Sequence, residues 1–267
     1  MLLREVEYAR PASVQEALRL LAENDGARAL PGGQTLINVM KARAASPDML
    51  VDLHDLEELR GIELGADGTL ELGAMTTYAD IIGSAEARAR PILGEVCVQI
   101  ADVQVRNRGT IGGNICSNDP TNHLPPLLAA IGATMTVMGA EGERSVPAED
   151  FFLGVYLTAV GPGELLTKIS VPPGKKDGFA SVPIGKDGTC IVNAAASVNG
   201  GARIAIGCVD AVPVLLQTDS DEHDAVRAAV QNANLDPPAD VHASADYRRH
   251  LAQVVAVRAV AQAKGKH

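Results

Sequence analysis

An α+β fold is what this sequence predicts, and three observations carry the prediction. Short apolar strands and short helices follow one another through the first two thirds of the chain, separated by glycine-rich turns. No turn reads G-x-G-x-x-G, which argues against a Rossmann sheet, and none ends in G-K-[ST], which argues against a nucleoside triphosphate loop. After a Gly, Pro and Lys cluster at 172–178, two strands are followed by two helices, the order of a small α+β domain.

Taken in order, an extended start at 6–8 leads to a helix opened by Ser13. Glu16 three residues on completes a capping box, and Val14, Ala17, Leu18 and Leu21 fall at helical spacing. A strand at 27–30, a PGG turn and a helix at 36–43 make a β–loop–α unit, and MLVDL at 49–53 is a strand. Residues 58–81 read as a hairpin turning at Asp67 and Gly68. Thr76 and Thr77 follow, with hydroxyls placed to cap the next helix or to reach a ligand. A helix at 91–100, an apolar helix at 124–133, a strand at TMTVMG and a strand at 165–171 come next. FFLGVY between them is expected to be a buried link to the next domain. Strands CIVNAAASV and ARIAIGCV join at Asn199, Gly200 and Gly201, before helices at 221–232 and 245–263.

The chain of 267 residues is long enough for two domains or one large one, and 46% apolar content supports a core. A net charge of −10 argues against nucleic acid or an anionic membrane as the main partner. Cys97, Cys116, Cys190 and Cys208 show neither C-x-x-C nor metal-ligand spacing, which suits free thiols in a reducing compartment. An N-terminus without an apolar stretch and no run approaching roughly 20 apolar residues point to a cytoplasmic protein without a membrane span.

Chemistry concentrates in two stretches. ALPGGQTL at 29–36 and RGTIGGN at 108–114 each hold adjacent glycines, where backbone amides can approach a ligand closely and φ > 0 is unstrained. Two such loops suit a ligand with a long, negatively charged middle, such as a dinucleotide. Arg106 and Arg108 add a small basic patch.

PGGQTLINVMKAR, GAMTTYADI, VQVRNRGTIGGNICSNDP and SADYRRHLAQVVAVRAV, in this order over nearly the full length, resemble the FAD-binding (medium) subunit of molybdenum hydroxylases, the xanthine dehydrogenase and carbon monoxide dehydrogenase group. The resemblance implies an α+β FAD-binding domain of the PCMH type at 1–173, with subdomains at about 1–55 and 56–173. A small α+β domain of the CO dehydrogenase flavoprotein type at 177–267 would follow it. It also implies FAD in this chain, a large molybdenum-cofactor subunit and a small [2Fe–2S] subunit as partners, and electron delivery to an external acceptor. Carried over by position, Ala29, Leu30, Pro31, Gly32, Gly33, Gln34, Thr35 and Leu36 wrap the diphosphate. Thr110, Ile111, Gly112, Gly113 and Asn114 form the second half of the cradle. Ile100 and Ala101 match positions near the flavin, Leu166 a contact in the later strand, and Thr76 a further contact. No side chain is required as acid or base, because the redox chemistry belongs to the cofactor.

Two departures stand out. The family's D-P-x-x-D pattern reads DPTNH, so His123 holds the slot expected to hydrogen-bond a ribose or adenine group. A Lys often found beside the flavin aligns with Ser181, with Lys186 nearby as a substitute. Alternative readings are a stand-alone flavin oxidase, attached through His54 or Cys97, and a flavin-free scaffold subunit. Arg248, Arg249 and Arg258 of the last helix read as a solvated face or as a docking surface.

Overall fold

The computed structural model describes residues 3–185 and 189–265, which leaves Lys186 outside the described residues. Strands β1 (Glu7–Ala9), β2 (Ala27–Leu30) and β3 (Met49–Asp52) form a parallel sheet in the order β1-β3-β2, with helices α1 (Val14–Glu23) and α2 (Leu36–Lys41) as its connections. Ser13 caps α1 as expected, its Oγ accepting the Glu16 amide at 3.2 Å, but the expected capping box is only half formed, because Glu16 Oε2 accepts the Ala12 amide at 2.8 Å rather than that of Ser13. Val14, Ala17 and Leu18 then bury one face of α1 against Val51 and Leu53.

The next stretch runs β4 (Ile62–Leu64), β5 (Leu70–Gly73), α3 (Tyr78–Gly83), α4 (Ile92–Val98), α5 (Val103–Arg106), α6 (Ile111–Ser117), α7 (Leu124–Ala130), β6 (Thr134–Gly139), β7 (Gly142–Pro147), α8 (Ala148–Phe151), β8 (Phe152–Gly154), β9 (Leu157–Thr158) and β10 (Leu165–Val171). Five of these strands make an antiparallel sheet in the order β4-β5-β10-β6-β7. The β4–β5 hairpin turns where expected, with Gly68 at φ +86° and Asp67 Oδ1 accepting the Thr69 amide. Thr77 caps α3 in a full capping box with Asp80.

A third sheet, β11 (Asp177–Ile184), β12 (Thr189–Val198), β13 (Ala202–Gly207) and β14 (Val214–Thr218), is antiparallel in sequence order. Helices α9 (His223–Asn232) and α10 (Ala245–Ala263) cover one face, and α7 packs on the other. Phe179, Ala195 and Ala205 of this sheet therefore share a core with Leu124, Leu127 and Leu128. Arg90 ties the two parts together: it pairs with Asp177 at 2.7 Å and donates to the Pro172 carbonyl, with the Arg90 and Asp177 side chains 4% and 3% exposed. Removing either partner of such a buried pair strands the other charge, at a cost of about 3–5 kcal/mol.

Three expectations are corrected. FFLGVY is only half a buried link. Phe151 and Phe152 are buried, whereas Leu153, Val155, Tyr156 and Leu157 stand exposed on the β8–β9 hairpin. Arg248 is not on a solvated face. It is 4% exposed and donates to the carbonyls of Ile191 in β12 and of Cys208 just after β13, and to Asp240, because it projects from α10 against the inner strands of the third sheet. Finally, TIGGN is not an open loop but the first turn of α6, with Thr110 as its N-cap.

Candidate functional site

The carboxyl ends of β2 and β3 open into a cleft of about 310 Å³. Its lining is Leu30, Pro31, Gly32, Gly33, Gln34, Ile37, Asn38, Lys41, Asp52 and Arg108. The position is the one that parallel sheets commonly give to ligands, just beyond the strand ends. Gly33 turns the chain with φ +71°, a left-handed conformation that favours glycine. Gly32 allows the closest approach in the site: a Cβ there would lie 2.2 Å from the Arg108 carbonyl oxygen.

The amides of Gly32, Gly33, Gln34 and Thr35 donate to no acceptor among the described residues. Polar groups of this kind demand partners, and four consecutive donors beside a cleft are a cradle for an anion. Neither Lys41 nor Arg108 makes an ion pair with a described residue. Asp52 is engaged elsewhere, accepting from the Tyr8 hydroxyl and from the His54 amide.

The second glycine stretch is stitched shut. The Ile111 amide donates to the Thr76 carbonyl and that of Gly112 to the Ala74 carbonyl, both at 2.9 Å. Gly113 donates to Thr110 Oγ1 and Asn114 to the Thr110 carbonyl, both at 3.0 Å. These glycines are not at positive φ. They are glycines because a Cβ on Gly112 would meet the Ala74 oxygen at 2.6 Å, and one on Gly113 would sit 3.1 Å from Pro31 Cγ. The amides of Ile111 to Asn114 are therefore all hydrogen-bonded within the protein, and the segment packs against Pro31 and, through the Arg108 carbonyl, against Gly32.

Thr76 is 1% exposed; its hydroxyl donates to the Gly61 carbonyl and its own carbonyl accepts the Ile111 amide, which anchors the second stretch. Leu166 is buried in the core beside a β-bulge of β10; at that bulge the Thr167 carbonyl accepts from Ala74. The bulge, Ala74 and Gly112 thus form one hydrogen-bonded path from the central sheet to the second stretch. Ile100 is buried and Ala101 sits at φ +45°, their carbonyls both held by Arg106 Nη1 at 3.0 and 2.7 Å. Asn114 bonds the Tyr78 hydroxyl, and its own Oδ1 is buried without a donor among the described residues.

His123 is 3% exposed, stacked on Phe179 at 5.3 Å between centroids, with Cys190 Sγ 3.4 Å from Nε2. Burial pushes its pKa down to about 4 and that of Cys190 up to about 11, so both are neutral at pH 7. The expectation of a ribose or adenine contact did not anticipate this seat between α7 and the third sheet. Ser181, where the family's Lys aligns, lies opposite Asn193 in the β11–β12 pairing.

The sequence reading missed Ile37, Asn38, Lys41 and Asp52, and it left Arg108 outside the site. Ile37, Asn38 and Lys41 share one face of α2 by their spacing, a signal that was available. Asp52 was hidden, since only the sheet order β1-β3-β2 brings it beside β2.

Fold and cleft suit a protein that takes an anionic ligand beside a parallel sheet. Comparison with known proteins makes that specific. Residues 4–174 match the family described as the FAD binding domain in molybdopterin dehydrogenase. The chain is 38% identical to the carbon monoxide dehydrogenase medium chain of Afipia carboxidovorans, over 97% of both chains. It is 34% identical to the glyceraldehyde dehydrogenase medium chain of Sulfolobus acidocaldarius, over 96% of this chain and 97% of that one. Among solved structures, quinoline 2-oxidoreductase from Pseudomonas putida 86 superposes with a TM-score of 0.92 at 32% identity, over 100% of this chain and 99% of that one. The chain belongs to the FAD-binding subunits of the molybdopterin dehydrogenase family, and it is an oxidoreductase subunit. The residues present fit that cofactor: four unbonded amides, a cradle that a Cβ on Gly32 would fill, and a buried acceptor at Asn114 Oδ1.

Proposed function

We propose that this chain is the flavoprotein subunit of a heteromeric molybdenum hydroxylase, in which FAD takes electrons from a small [2Fe–2S] subunit, itself fed by a large molybdenum-cofactor subunit, and passes them to an external acceptor. The residues of this chain bind and orient. Ala29 to Leu36 hold the diphosphate through the amides of Gly32, Gly33, Gln34 and Thr35. Thr110 to Gly113 fix that loop from behind, and Asn114 offers its free Oδ1. Ile100, Ala101, Leu166 and His123 shape the remaining walls. The set of four unbonded amides in the cleft is the observation that carries the reading. End-to-end similarity to medium chains supports the subunit role. Four free cysteines suit a cytoplasmic setting.

The test is affinity capture of the chain from its native cells, with an absorption spectrum, metal analysis and mass spectrometry of what accompanies it. A large molybdenum-containing chain, a small iron–sulfur chain and flavin absorbance are expected. A lone yellow protein without molybdenum would overturn the proposal in favour of an oxidase, and a colourless one in favour of a scaffold.

A further inference from the structure

A diphosphate brings two negative charges to a chain whose own net charge is −10. The field of the whole protein opposes that approach, and neutral amides relieve it only in part. The cleft answers with two cations. Arg108 and Lys41 both line it, and neither is paired with a described carboxylate. The contrast with Arg106, two residues earlier, is informative: its guanidinium is committed to the carbonyls of Ile100 and Ala101.

The root of the Arg108 side chain is fixed relative to the open amides. Its carbonyl abuts Gly32 so closely that no Cβ fits between them. Its own amide donates to the Val105 carbonyl at 3.1 Å, and the Gly109 amide to the same carbonyl at 2.6 Å. Lys41 approaches from α2, on the face that carries Ile37 and Asn38. The amides of 111–114 are hydrogen-bonded within the protein, and Arg108 is the cation that the second glycine stretch brings to the cleft.

We propose that Arg108 and Lys41 are the cations that hold the cofactor's diphosphate. The inference rests on the flavin-binding reading of the cleft. It assigns two positioning residues to that reading and gives the RNRG segment a task in cofactor binding.

The test uses the full chain stripped of flavin and titrated with FAD, followed by flavin fluorescence, for the wild type, Arg108→Gln, Lys41→Gln and Arg108→Lys. Riboflavin, which lacks the diphosphate, is titrated in parallel. Each Gln variant is expected to raise the Kd for FAD about 10-fold, the size of one lost charge-assisted hydrogen bond, and to leave that for riboflavin unchanged. Arg108→Lys should fall between, since it keeps the charge and loses the fork. The salt dependence of FAD binding should be shallower in the Gln variants. Both side chains are exposed, so the melting temperature of the stripped protein should not move. Gln variants that bind FAD as the wild type does, or that weaken riboflavin equally, overturn the assignment while the flavin reading stands. A wild-type chain that takes up no FAD overturns the flavin reading, and the assignment with it.

Discussion

Gly32–Gly33 and Gly112–Gly113 sit in similar sequence contexts, each with a threonine close by and a short helix beginning within three residues of the pair. Their backbones are used in opposite ways. Around the first pair, four amides beside a cleft have no acceptor among the described residues, and Thr35 precedes α2 without making a side-chain cap. Around the second, every amide from Ile111 to Asn114 is bonded, and Thr110 caps α6 through the Gly113 amide. The glycines serve different needs as well. Gly33 supplies a left-handed turn, whereas Gly112 and Gly113 supply thinness, letting a helix start press on Ala74 and Pro31. A glycine pair thus marks either a ligand cradle or a close-packed joint, and the hydrogen bonds of its amides tell which.

The largest expected effect lies where the closed segment leads on, at His123. Its pKa is depressed to about 4 in the folded protein from the ordinary 6.5, so the unfolded chain binds the proton more readily. The stability tied to this burial is full above pH 6.5 and is lost as pH falls towards 4, by about 3 kcal/mol in all. Urea unfolding of the wild type and His123→Asn at pH 7 and pH 5 measures it. Equal pH slopes in the two proteins would remove His123 from the account.

Next comes Gly112→Ala, whose Cβ would press on the Ala74 carbonyl. It should cost about 2 kcal/mol through overpacking, visible as a lower urea midpoint in flavin-free protein. A cost near zero would mean that the joint is loose and that the second stretch can open after all. The smallest effects come from the threonines. Thr110→Ala should lose about 1 kcal/mol, the usual worth of an N-cap, while Thr35→Ala should stay within about 0.5 kcal/mol. If the two threonine variants melted alike, the contrast between a capped and an uncapped glycine stretch would fail.

Much of this was legible in the chain itself. The capping signals at Ser13 and Thr77, the strands at 27–30, 134–139 and 165–171, and the final helix at 245–263 follow from local rules that hold with little tertiary help. Strands β7, β11 and β14 escaped notice. GERSVP is nearly all exposed, FASVPI carries a proline, and VLLQT has little alternation, so periodicity had nothing to grip. Arg248 was misplaced for a related reason. Helical spacing cannot distinguish a buried arginine, whose Nη1 donates to carbonyls of Ile191 and Cys208 from across the domain, from a solvated one.

The sequence by itself determined the local pieces, the two glycine pairs and, through four ordered motifs, the family. Those properties depend on residues near one another in the chain, where sterics and capping act. Only the tertiary structure decided which amides are free. The N–H groups of Gly113 and Asn114 are held locally by Thr110, whereas whether those of Ile111 and Gly112 face a ligand or Thr76 and Ala74 depends on segments more than thirty residues away. The same holds for Asp52 and Arg108, which reach the cleft because β3 lies beside β2 and because Gly32 has no side chain to keep the second stretch away.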